Sequence, residues 1–129
     1  MSVKGIVVID GGVVLARNER EEWELPGGRI EPDDRSPQVA LGRECAEELG
    51  IDVSVGELID EWIYQPLPGR RVRIETYRCT TQDPAVAIRV SDEHSAVTVA
   101  PLPLADDLIL PEGYRRSIRR AMGRRPNDG

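Results

Sequence analysis

The segment SPQVALGRECAEELG, residues 36–50, constrains this chain more than any other stretch, because both of its ends and one of its faces are specified. Ser36 suits an N-cap, Pro37 the first helical position and Gly50 a left-handed exit, which predicts a helix over residues 37–49. Leu41, Cys45 and Leu49 recur at the helical period and form its apolar stripe. Beside that stripe stand Glu44, Glu47 and Glu48, which at about 100° per residue fall within roughly 100° of arc. Like charges at i, i+4 repel, so the arrangement needs a reason. A hard divalent cation supplies one, since Mg²⁺ takes oxygen ligands from a few carboxylates and completes its shell with water and phosphate. A solvated acidic helix face is the other reading, and the triplet alone does not separate the two.

Around that helix the chain reads as short strands. VKGIVVID and VVLARN flank a DGG turn and predict an antiparallel pair, and WELPGGRIEPDDRS predicts a brief strand running into a long ordered loop. IDVSVGELIDEWIYQ, RVRIETYRCT, AVAIRV and AVTVAPL are strand-like, separated by PLPG, QDP and SDEHS, and PEGYRRSIRRAMG closes the series as a second helix. Strands around one central helix, with another helix at the end, predict an α+β fold: a mixed sheet with helices on both faces. A chain of 129 residues closes one core, so residues 1–129 are expected to form one domain.

The net charge of −6 is unevenly spread. From Pro111 onward six Arg stand against one Glu and one Asp, so that stretch carries +4 and the rest of the chain −10. An acidic body argues against a nucleic-acid groove. The stripe Arg115, Arg116, Arg119 and Arg120 reads as a solvated helix face with a frayed end, GRRPNDG. No apolar run approaches the roughly 18 residues of a membrane span, and Met1 to Gly5 lacks a signal-peptide start, so a cytoplasmic address without a membrane partner is expected. Cys45 and Cys79 are too few for a disulfide framework and read as small core residues.

Upstream context separates the two readings of the glutamates. From Gly27 the chain runs GGRIEPDDRSPQVALGRECAEELGI, preceded by WELP. This resembles the signature of the Nudix hydrolases: Gly, five residues, Glu, seven residues, then Arg-Glu-aliphatic-any-Glu-Glu-any-Gly-aliphatic. Gly28 begins it, and Arg43, Glu44, Cys45, Glu47, Glu48, Gly50 and Ile51 match its second half, with Cys45 in the aliphatic position. Two departures stand out: the family's first Glu falls on Asp34, and eight residues rather than seven separate Asp34 from Arg43.

The resemblance implies a Nudix α/β/α sandwich around a central mixed sheet. It also implies Mg²⁺- or Mn²⁺-dependent hydrolysis of a pyrophosphate bond in a nucleoside diphosphate linked to another moiety, whether ADP-ribose-like, a nucleotide sugar or a nucleoside triphosphate. Carried over residue by residue, Glu44, Glu47, Glu48 and the Gly27 carbonyl are metal ligands. Glu47, or Glu93 of the SDEHS loop, is the base for the attacking water, and Arg43 holds a glutamate by an ion pair. Gly28 lets the loop backbone approach the phosphate. The expected partner is a small nucleotide, with a homodimer left open. Tyr64 is the better candidate to stack on a base and Trp62 the better core residue; Arg70 and Arg71 lie where they can meet phosphates. Pro66, fifteen residues beyond Ile51, has a spacing similar to that of ADP-ribose pyrophosphatases, and also reads as an ordinary hairpin residue. His94, the one histidine, reads as a solvated loop residue. The alternative from another functional class is a catalytically weak nucleotide-binding regulatory module that keeps the scaffold.

Overall fold

The computed structural model describes residues 1–91 and 94–123. Strand β1 (Ser2–Ile9) turns through Asp10 and Gly11 into β2 (Gly12–Arg17). Both turn residues have positive φ, 52° and 77°, which a two-residue hairpin needs, and Ile9 pairs with Gly12 across it. Two short strands follow, β3 (Trp23–Glu24) and β4 (Gly27–Arg29), then helix α1 (Pro37–Leu49), β5 (Ser54–Leu67), β6 (Arg70–Thr80), β7 (Ala96–Pro101) and helix α2 (Glu112–Gly123). The α1 boundaries are those its caps predict: the Ser36 side chain accepts the Val39 N–H at 3.1 Å, and Gly50 leaves the helix at φ 68°.

The seven strands form a mixed sheet. Strand β1 is its axis: it runs parallel to β6, antiparallel to β2 and, over Ser2 to Lys4, antiparallel to β4. Strand β7 pairs along the whole of β2, and β5 lies antiparallel outside β6. Strand β1 is buried on both faces from Val3 to Val7, as a strand that is apolar but for Lys4 predicts. Val3 and Val7 pack on one side with Leu41, Cys45 and Leu49 of α1, while Ile6 joins Ile59, Ile74, Tyr114 and Ile118 on the side of α2. The α+β sandwich with helices on both faces is therefore observed. Cys45 and Cys79 are buried free thiols, and burial pushes both upward in pKa, Cys79 to about 12, so they serve as core residues. Among the described residues no helix is long and apolar enough to cross a membrane.

Two expectations are corrected. AVAIRV does not join the sheet: Ala85–Ala87 form a 3₁₀ turn, and the chain beyond it lies against the end of α1, where the Arg89 N–H donates to the Leu49 carbonyl at 2.8 Å. Satisfying an orphan carbonyl at the helix C-terminus replaces the strand pairing, and Val86 stays 93% exposed. The arginines of α2 are not simply solvated. Arg116 and Arg120 donate to opposite oxygens of Asp60 at 2.9 and 2.6 Å, and Arg115 donates to the Leu108 carbonyl at 2.5 Å. Ser117 bridges Asp60 and Thr76, at 3.2 and 3.0 Å, so a polar seam runs through the α2 interface. The expected frayed end, residues 124–129, lies outside the described residues.

Burial alone would raise the Asp60 pKa, but Arg116, the Glu61 amide and Ser117 outweigh it and hold the carboxyl below its ordinary range. The resulting stability is present above the unfolded-chain pKa of about 3.9 and is lost as pH falls through the lower folded value. Asp60→Ala is expected to lower the unfolding free energy at pH 7 by about 2 kcal/mol, since its arginine partners can turn to solvent. Urea denaturation of both proteins at pH 7 and pH 3 checks this; an undiminished gap at pH 3 would remove the charge from the account.

Candidate active site

The two glycines of β4 bring a loop backbone against the glutamate face of α1. Gly27 sits at φ 140°, and a Cβ there would stand 2.0 Å from the Val3 carbonyl oxygen across the β1–β4 ladder. A Cβ on Gly28 would stand 2.6 Å from the carboxyl carbon of Glu44. Bare backbone at these positions lets α1 close on the strand. The Gly27 N–H donates to Glu48 at 2.9 Å, and Glu44 packs over Gly28. Helical spacing then sets Glu47 beside them on the same cleft.

That cleft has a volume of about 690 Å³ and is walled by Gly27, Gly28, Glu44, Glu47 and Glu48, together with Glu24, Asn18, Arg20, Arg29 and His94. The glutamates differ in environment. Glu48 is 5% exposed, and burial pushes its carboxyl up to about 7 despite the Gly27 N–H and nearby Lys4. The Glu47 side chain is 60% exposed and open to water. Glu24 has the reverse balance to Glu48: burial would raise its pKa, yet His94, Lys4 and Asn18 lower it to about 2. It accepts from Asn18 Nδ2 at 2.8 Å and from Lys4 Nζ at 3.4 Å, and lies 3.2 Å from His94 Nε2. Lys4 also approaches the Gly27 carbonyl at 3.5 Å.

Arg43 stands behind the cleft as a clamp. Its Nε and one terminal nitrogen donate to the two oxygens of Asp34 at 3.0 and 2.9 Å, a bidentate pair. Its other terminal nitrogen donates to Glu44 at 3.1 Å and to Glu47 at 3.2 Å. Asp34 is itself fixed by the Glu31 N–H at 2.7 Å, and Arg43 holds its carboxyl below the ordinary range.

A second cavity of about 570 Å³ adjoins the first and shares Glu19, Arg20, Glu24 and Arg29 with it. Tyr64, Pro66, Arg70 and Tyr114 line it. Trp62 packs edge-on against Tyr114 at 4.9 Å and Tyr64 at 5.8 Å, a half-buried core ring as expected. Six of the sequence-derived positions, Gly27, Gly28, Arg43, Glu44, Glu47 and Glu48, thus meet at the cleft, and Tyr64 and Arg70 reach its neighbour. Arg71 does not join them: it is exposed at the start of β6 and lines neither cavity. Strand alternation turns it away from its neighbour Arg70. Glu93 lies outside the described residues.

His94 is corrected. Its side chain is 5% exposed and faces Glu24, which raises its pKa, rather than being solvated. Lys4, Asn18, Arg20 and Glu24 were not legible as site residues. The signal for Lys4 was its place as the one charged residue within the apolar strand VKGIVV, since a cation there needs a buried partner.

The donors on the cleft wall are hard oxygens, which suit Mg²⁺ or Mn²⁺, and Glu44 nests where Gly28 lacks a Cβ. Among the described residues no three His, Cys, Asp or Glu side chains close on one point. A cation seated here therefore takes further donors from water and phosphate, the usual habit of Mg²⁺.

The family model described as NUDIX domain matches residues 2–121. The chain is 42% identical over 62 residues to the CTP pyrophosphohydrolase of Escherichia coli K12, which is 44% of this chain and 45% of that protein. It is 40% identical over 58 residues to the 8-oxo-dGTP diphosphatase of Proteus vulgaris, covering 45% of this chain and 50% of that one. The chain thus spans about half the length of the curated relatives it matches. Among solved structures, that of the E. coli ORF135 protein is 29% identical with a TM-score of 0.73, over 98% of this chain and 93% of that one.

The two glycines are expected to respond differently to substitution. Gly27→Ala meets backbone atoms in a conformation hostile to L side chains, and is expected to cost about 3 kcal/mol or more. Gly28→Ala meets the far end of a glutamate that can swing aside, and is expected to cost about 1 kcal/mol or less while displacing Glu44. Chemical denaturation ranks the two; equal losses would show that Glu44 is not free to move.

Proposed function

This chain belongs to the Nudix hydrolase family, whose members act on pyrophosphate bonds, and from that premise we propose that it hydrolyses small nucleotides with Mg²⁺ or Mn²⁺. The observation that carries the reading is the meeting of Glu44, Glu47, Glu48 and the Gly27–Gly28 backbone on one cleft wall, with Arg43 clamped behind them. CTP and 8-oxo-dGTP are the substrates named for the two relatives above, so a nucleoside triphosphate is favoured over a nucleotide sugar or an ADP-ribose-like compound.

In this reading Glu44, Glu47, Glu48 and the Gly27 carbonyl hold the cation. A cation held by these residues would neutralise charge on the pyrophosphate and polarise the bond to be broken. Glu47, the most exposed of the three, takes the proton of the attacking water. Arg43 is a positioning residue: it fixes Glu44 and Glu47 relative to one another and is itself held by Asp34. Glu24, drawn to about 2 by His94, Lys4 and Asn18, stays ionised at neutral pH and holds His94 at the cleft and Lys4 at the adjoining cavity. Tyr64 and Arg70, in the adjoining cavity, receive the nucleoside end.

A screen of nucleoside triphosphates, nucleotide sugars and ADP-ribose for monophosphate and phosphate release, with and without Mg²⁺, tests the proposal. No metal-dependent release from any of them would favour the regulatory-module reading. Glu48→Gln and Glu47→Gln are each expected to remove most turnover. Metal-free thermal stability is expected to stay equal or rise, because an amide relieves repulsion and the amide oxygen introduced by Glu48→Gln can still accept the Gly27 N–H. Asp34→Ala is expected to lower turnover clearly but less than Glu48→Gln, since it loosens the clamp and not the ligands. Turnover against Mg²⁺ concentration decides the order; a parent-like curve for Asp34→Ala would deny it a supporting role.

A further inference from the structure

The turn between β2 and β3 is tied more firmly than an exposed loop requires. The Asn18 side-chain oxygen accepts the N–H groups of Arg20 at 2.9 Å and Glu22 at 3.2 Å, and the Asn18 N–H donates to the Glu22 carbonyl at 2.9 Å. Glu21 is held at φ 62°, a left-handed conformation rare for a residue with a Cβ. What this turn carries is Arg20. Its guanidinium lies over the ring of Tyr64, 6.0 Å from the centroid, and its Nε donates to Glu22 Oε1 at 3.1 Å. The Tyr64 hydroxyl donates to that same oxygen at 2.8 Å. Arg20 also forms part of the wall shared by the two cavities.

The other well-anchored cations of the site are occupied. Lys4 is nearly buried on Glu24, and Arg43 is divided among Asp34, Glu44 and Glu47. The Arg20 side chain is 39% exposed, and ion pairs at such exposure contribute little, so its partners exchange readily. A base cannot stack on the Tyr64 face while the guanidinium covers it. On the proposed nucleotide reading, one movement of Arg20 then does two things.

We propose that Arg20 is a substrate-operated latch: in the free protein it covers Tyr64, and on binding it yields that ring to the nucleobase and turns to the phosphate joined to the nucleoside. The guanidinium fork suits a phosphate better than the one close oxygen of Glu22 at 3.1 Å and the distant one of Glu24 at 4.0 Å that it leaves. Base and phosphate are then recognised together, which favours nucleotides over both free nucleosides and inorganic polyphosphates.

Equilibrium binding of the four ribonucleosides and their 5′-monophosphates, without metal, tests this in the parent, Arg20→Gln and Arg20→Lys. These probes hold no pyrophosphate bond, so binding is read apart from turnover. Arg20→Gln is expected to weaken monophosphate binding about tenfold, and to leave nucleoside binding unchanged or tighter because the ring is uncovered. Arg20→Lys, which keeps the charge and loses the fork, should fall between. Equal weakening of both ligand types would indicate a merely structural residue and overturn the latch, as would unaltered monophosphate binding or a parent with no preference for monophosphates. A parent that turns over nucleotides with Mg²⁺ while Arg20→Gln binds normally loses the latch alone. A parent that shows the expected binding pattern without turnover loses the hydrolase reading alone.

Discussion

The close approach of the Gly27–Gly28 backbone to α1 is the contact on which the rest of the site depends. One hydrogen bond, from the Gly27 N–H to Glu48, and one steric gap, above Gly28, set the distance between helix and strand. Because β4 pairs with β1 at Ser2 to Lys4, this distance is also referred to the central strand of the sheet. The same register puts Lys4 directly opposite Gly27, so the cation that neutralises Glu24 arrives as part of the sheet's own pairing.

Charge in this cleft is graded, not merely accumulated. Glu47 is solvated, Glu44 is partly covered by Gly28 and Arg43, and Glu48 is buried with a backbone amide as its close partner. A buried carboxylate without a full counter-charge is costly, and Glu48 carries that cost in its raised pKa. Glu24, no less enclosed by polar groups, is stabilised by a lysine, a histidine and an amide and moves the opposite way. Two acids of one cleft are thus placed in opposite electrostatic settings, Glu48 by burial and Glu24 by the cations and amide around it.

Much of this was legible in the sequence, for identifiable reasons. Helix α1 has a cap, a proline and a glycine at its ends, so its limits follow from local chemistry. The glutamate face follows from helical spacing, and the strands follow from runs of β-branched residues between turns. What could not be read depends on pairing between distant residues. AVAIRV has strand composition, yet its neighbour in space is the end of α1 and not a free strand edge. Arg116 and Arg120 have the spacing of a solvated face, and only the position of Asp60, some sixty residues earlier, makes them an interface. His94 needed the partner Glu24, seventy residues away, to become a site residue.

The extra residue between Asp34 and Arg43 is compatible with a bidentate contact between the two. Aspartate is one methylene shorter than the glutamate of the family pattern, so a fixed loop would leave its carboxylate short of the arginine. With eight intervening residues the loop has slack to bring the Asp34 backbone nearer, and both carboxylate oxygens reach Arg43 at 2.9 and 3.0 Å. The Glu31 N–H then fixes the shorter side chain from its own side of the turn. Arg43 is thus held by Asp34 on one side while its other terminal nitrogen reaches Glu44 and Glu47. A carboxylate at residue 34 that reaches both nitrogens is enough to fix that orientation, whichever acid carries it.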